Sequence, residues 1–165
     1  MLSQFYGAFA PVTFTILGLW FIVVQTRHAD WTHDLERRRR ASAVSLHFAL
    51  PGAMSLLSLI DPNSKALWRA SFTVSALLGV AGLVALRPRR GGPEALLLEV
   101  LHWLAVVLYV LVAAVALRTT LAHDMGIGLA PLRVEALLLS LLLFVGVTMA
   151  WLLMFDNVTV APEPV

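Results

Sequence analysis

Five apolar stretches, each near the ~20 residues that carry a helix across a bilayer's hydrocarbon core, occupy most of this 165-residue chain. They fall at about 4–24, 41–60, 66–86, 95–117 and 132–155. In lipid a backbone must satisfy its own hydrogen bonds, so each stretch is predicted to be a helix. Barrel strands would need ~10 residues of alternating hydropathy, and runs such as Leu137 to Gly146 do not alternate. The predicted fold is all-α: one domain, a polytopic membrane bundle of five transmembrane helices.

Composition narrows the function classes. Charged residues are 13% and hydrophobic residues 59% of the chain, with a mean hydropathy of +0.84. Soluble domains are about a quarter charged, and a small interior cannot absorb this much apolar surface. The absence of cysteine excludes disulfides, thiolate catalysis and Cys-ligated clusters. A net charge of +2 comes mostly from arginines beside the spans. That distribution points to a bilayer with anionic headgroups as partner and not to nucleic acid. The start of the chain lacks the basic n-region and cleavage pattern of a signal peptide and reads as the first span. The Arg-rich, Lys-poor, Ala/Leu/Val-heavy usage fits a high-GC bacterial genome.

The joints carry breaking signals. Asp61-Pro62-Asn63-Ser64 reads as a tight turn, which makes spans 2 and 3 antiparallel neighbours. The segment 87–93 ends span 3, and Gly126-Ile127-Gly128 with Pro131 precedes span 5. The 161–165 tail reads as extended or disordered. No internal repeat is visible, which argues against an inverted-repeat transporter. The first and third connections hold eight cations: Arg27, Arg37, Arg38, Arg39, Arg40, Arg87, Arg89 and Arg90. The other side holds four: Lys65, Arg69, Arg118 and Arg133. The positive-inside rule then predicts an outside N-terminus and a cytoplasmic C-terminus, in the cell (inner or plasma) membrane.

The first connection is the longest on the arginine-rich side. Asp34 and Glu36 precede Arg38 and Arg40 by four, so a short helix leading into span 2 is expected. Trp31 is expected at the interface, with Arg37 to Arg40 and Arg87 to Arg90 on lipid headgroups. His28 and His33 are spaced too poorly for one metal-binding face.

Ionisable residues inside spans are costly and are functional candidates by default. Arg69 and Glu135 lie about one turn inside the outer leaflet, where an ion pair, separate snorkelling, or an ion-attracting vestibule would account for them. His47, Glu99 and His102 lie deeper, roughly 6 to 11 Å below the cytoplasmic boundary by helical rise. Glu99 and His102 are three apart, with Tyr109 seven further on, so span 4 carries a Glu-His-Tyr stripe. Pro51 frees the carbonyl of His47, four residues earlier, and Gly52 is expected to ease the resulting bend. Thr148 and Gln25 are candidates for the same polar layer. Ser71, Ser75, Gly79 and Gly82 form a small-residue face on span 3 for packing or self-association.

Three readings follow from this layer. The first is an oligomeric channel or proton/ion-conducting protein that uses His47, Glu99, His102, Tyr109 and Thr148, with histidine protonation as the switch. The second is a haem- or metal-binding redox subunit with His47 and His102 as ligands. A single Glu-x-x-His per chain falls short of a di-iron site, and no cofactor is expected on the first reading. The third is a non-catalytic assembly subunit of a larger membrane complex in which the polar groups are packing contacts.

Overall fold

Apolar periodicity and local caps set five helices. The computed structural model describes residues 2–27, 31, 34–61, 64–87, 95–118 and 130–155. Several expectations lie outside these residues: His28, His33, Pro62, Asn63, Arg89, Arg90, the rest of 88–93, 126–128 and the 161–165 tail. The helices are α1 (Leu2–Thr26), α2 (Leu35–Ile60), α3 (Lys65–Ala85), α4 (Ala95–Leu117) and α5 (Pro131–Phe155), with no strand among the described residues. All five are long and apolar enough to cross a membrane, which makes this a multi-pass membrane protein.

The second helix starts earlier than its apolar run. Asp34 caps it, accepting hydrogen bonds from the Glu36 and Arg37 amides at 2.9 and 3.3 Å. The Arg37-to-Arg40 run is therefore the first turns of α2 and not a separate short helix. Its charges pair along the helix as Arg37–Asp34 and Arg40–Glu36, each at 3.4 Å. At the other end, the Ser64 amide donates to the Asp61 carbonyl at 3.1 Å, closing the expected turn, and the Ser64 hydroxyl caps α3 by accepting from the Leu67 amide.

Helices α2, α3, α4 and α5 form a closed ring in which each packs on the next and α5 returns to α2. Successive spans reverse direction, so this is an up-down-up-down four-helix bundle. Helix α1 lies outside the ring against α2 and, over a smaller area, α5. The interior is closely filled by Phe48, Met54, Phe72, Leu83, Leu139 and Leu142, all fully buried. Large apolar side chains such as Leu19, Leu78, Leu96, Phe144 and Trp151 cover the outside. A soluble monomer does not expose that much contiguous apolar surface; lipid is the solvent that accepts it.

Candidate functional site

The middle of the four-helix ring is built from two aromatic side chains and two glycines. His47 of α2 and Tyr109 of α4 are fully buried, with ring centroids 6.3 Å apart in an edge-on arrangement. Tyr109 leans toward the N-terminus of its helix, as helical side chains do, and lies over Gly79 of α3. A Cβ on Gly79 would stand 2.7 Å from two Tyr109 ring atoms. His47 lies against Gly146 of α5, where a Cβ would stand 2.6 Å from the His47 Cβ. Every helix of the ring thus contributes one member of the layer.

The polar atoms of this layer are satisfied unequally. The Tyr109 hydroxyl donates to the Leu46 carbonyl at 3.1 Å, next to the carbonyl that Pro51 deprives of its usual donor. His47 has the Ala43 carbonyl one turn back, yet neither ring nitrogen reaches a partner with hydrogen-bond geometry. Burying such a group without a partner is costly. His102 is buried one level nearer the arginine-rich end, and its Nε2 lies 3.0 Å from the Leu83 carbonyl. His47 and His102 are within electrostatic range of each other, as are His102 and Glu99.

Several expected members of the layer sit elsewhere. Glu99 is exposed at the rim, because a three-residue step turns about 60° away from the His102 direction and here crosses the edge of the buried face. Thr148 spends its hydroxyl on its own helix, donating to Phe144 at 2.9 Å, and Gln25 is exposed at the end of α1. His47 lies about 18 Å along α2 from Leu35 and about 9 Å inside the 41–60 apolar run, since the added first turns carry the arginines and not the hydrocarbon-facing stretch. Gly52 serves the approach of α1: a Cβ there would stand 2.6 Å from the Thr13 hydroxyl oxygen. The small face of α3 packs inside the ring, with Ser75 and Gly79 buried, Gly82 against Leu46, and Ser71 bonded to the Trp68 carbonyl.

The two charges placed near the other end do not pair. Arg69 donates from Nε and Nη2 to the carbonyls of Ala116 and Leu117 at 2.9 and 2.8 Å, closing the C-terminus of α4. Glu135 is fully buried and does not snorkel; both its carboxyl oxygens lack a hydrogen-bond partner. It lies on the buried stripe of α5 with Leu138, Leu139, Leu142, Val145 and Met149. Tyr6 of α1 is within electrostatic range of Glu135 and donates to the Leu132 carbonyl at 3.0 Å.

Contacts that the sequence does not reveal complete the pattern. Arg27 donates to the Met154 carbonyl near the end of α5, and Trp20 Nε1 to the Ala41 carbonyl at 3.2 Å. Trp31 is 5% exposed and packs on Trp20 at 6.0 Å, so it is a core residue and not an interfacial anchor. Arg87 lies over the Trp103 ring at 5.6 Å. The C-terminal turns of α3, α4 and α5 are therefore held by His102 of α4, Arg69 of α3 and Arg27, just past the end of α1. Only Gly146, a glycine in a run of leucines, offered a readable signal for its place. The His102 Nε2 contact with Leu83 occupies a nitrogen that a shared haem would need. Among the described residues no group of three or more His, Asp or Glu side chains is placed to hold a metal ion.

No protein-family model matches the chain, and neither the curated proteins nor the solved structures contain a match to it.

Proposed function

We propose that this protein transfers protons across the membrane through the interior of its own bundle, with His47 as the central relay. The observation that carries this reading is a fully enclosed imidazole that has the Ala43 carbonyl of its own helix nearby but no partner at hydrogen-bond geometry on either nitrogen. An ionisable group at membrane depth is costly. A packing role would use those nitrogens, as His102 does with Leu83. A neutral imidazole accepts on one nitrogen and donates from the other, which is the property a proton relay needs.

Depth supports the same reading. Counting helical rise from the ends of α5, α4 and α2 opposite the arginine-rich side, Glu135 lies about 6 Å in, Tyr109 about 12 Å and His47 about 20 Å. His102 follows at about 22 Å and Glu99 at about 27 Å, at the far rim. The series runs from one face of the bundle to the other within a single chain. Gaps between members are wider than a hydrogen bond, so transfer requires water to enter the layer transiently. With the arginine-rich side cytoplasmic, Glu99 is the cytoplasmic terminus of the relay. Reconstituted vesicles holding a pH-sensitive dye test this under a potassium-valinomycin clamp. The proposal expects proton flux above empty vesicles that rises linearly with copies per vesicle. Flux equal to empty vesicles refutes it, and a higher-order dependence favours a pore between subunits.

A second reading, a non-catalytic subunit of a larger membrane complex, is favoured by the cross-helix ties. Six side chains — Tyr6, Trp20, Arg27, Arg69, His102 and Tyr109 — bond backbone carbonyls outside their own helices. That is how polar residues act as packing contacts in lipid. Under this reading His47 is replaceable without loss of function.

A further inference from the structure

We propose that the groove between α1 and α2 at the arginine-rich end binds one anionic glycerophospholipid, its phosphate on Arg38 and an acyl chain along Phe21 and Val24. The groove has a volume of about 380 Å³ and is also lined by Trp31, Ser42 and Ser45. That volume falls in the range of small-ligand sites, about 300–1,000 Å³. Its floor is rigid, because Trp31 is held by Trp20 and Trp20 by the Ala41 carbonyl.

Charge accounting selects the head group. Along the basic start of α2, Arg37 is paired with Asp34 and Arg40 with Glu36. Arg38 is exposed, lines the groove, and has no acidic partner among the described residues. The two serines do not compete for the anion. Ser42 donates its hydroxyl proton to the Arg38 carbonyl at 2.9 Å, and Ser45 donates to Ala41 at 3.1 Å. Among the described residues, a guanidinium without an acidic partner therefore stands at the head of an apolar trough. A guanidinium matches a phosphate diester with two parallel hydrogen bonds. Phe21, exposed to the membrane, and Val24 continue the trough toward the hydrocarbon. A ligand with an anionic head and an apolar tail fits both ends, and the surrounding solvent supplies one.

The test is native mass spectrometry of delipidated protein in non-ionic detergent, titrated with phosphatidylglycerol, phosphatidylcholine or sn-glycerol 3-phosphate. Wild type is expected to hold one phosphatidylglycerol in clear preference to phosphatidylcholine, with soluble glycerol phosphate not displacing it. Arg38→Gln should weaken that binding about fivefold, the effect of one interfacial cation, while Arg39→Gln, outside the groove, should not. Ser42→Phe keeps the charge and fills the trough, so it should also abolish the tight site. Circular dichroism confirms that each variant is folded. Equal loss from Arg39→Gln, unchanged binding in both Arg38→Gln and Ser42→Phe, equal retention of phosphatidylcholine, or displacement by glycerol phosphate would overturn the proposal.

Discussion

Replacing Gly146 by alanine tests the packing of the central layer at a single atom. The added Cβ would stand 2.6 Å from the His47 Cβ and 3.0 Å from Phe48 Cε1. Carbon atoms rest about 3.5–4.0 Å apart, so α2 and α5 must separate by about 1 Å. The His47 Cβ is fixed to the backbone and cannot rotate away, which places the overpacking cost near the top of the usual range, about 3 kcal/mol. Exchanging glycine for alanine in a helix returns up to ~1 kcal/mol. The expected net loss is about 2 kcal/mol, measured by reversible unfolding in mixed micelles or by steric trapping. A second substitution identifies the clashing atom. His47→Ala keeps the Cβ and should not restore stability, whereas His47→Gly removes it and should restore part. Wild-type stability in Gly146→Ala, or full rescue by His47→Ala, would refute the described contact between α2 and α5.

Gly7→Ala and Gly18→Ala make the opposite prediction: no atom lies within 4 Å of either new Cβ, so both variants should match or exceed wild type in the same unfolding assay, by up to ~1 kcal/mol. Arg69→Met should cost about 1–2 kcal/mol and speed hydrogen exchange in the last turn of α4, because two charge-assisted bonds to the Ala116 and Leu117 carbonyls are lost. Arg69→Lys should fall between the two. Glu135→Met removes a buried carboxyl whose oxygens lack partners, so it should raise stability by about 1 kcal/mol or more while lowering proton flux. Higher stability with unchanged flux would remove Glu135 from the relay.

The spans were legible because hydropathy measures what a helix meets in the membrane. The third, fourth and fifth helices begin and end within one residue of their apolar runs. The second does not, because Arg37 to Arg40 are helical without being apolar, and Asp34 caps the helix ahead of them. That six-residue extension carries the arginines beyond the apolar run and leaves His47 about 9 Å inside it. Helical spacing placed Glu99 near His102 but could not say which of them crosses onto the lipid face. The partner of Arg69 was beyond reach, since the carbonyls it closes belong to another helix more than forty residues later. Glu135 was legible as an anomaly, and its burial followed only once the stripe through Leu138, Leu142 and Met149 was set against the ring. The small-residue face of α3 marked Gly79 and the leucine-rich run marked Gly146, but neither signal says how the surroundings of these two glycines differ from those of Gly7 and Gly18. What separates them is an opposing side chain, Tyr109 or His47, contributed by a different helix.

The most direct test of the account is proton flux through His47→Phe, reconstituted at the same copy number as wild type. Phenylalanine keeps the Cβ packing against Gly146 and removes both ring nitrogens. Proton transfer through His47 predicts a folded bundle, with unfolding stability equal to or above wild type because a buried polar group without well-formed hydrogen bonds is gone, and flux reduced to that of empty vesicles. A folded His47→Phe bundle that conducts protons at the wild-type rate would contradict it.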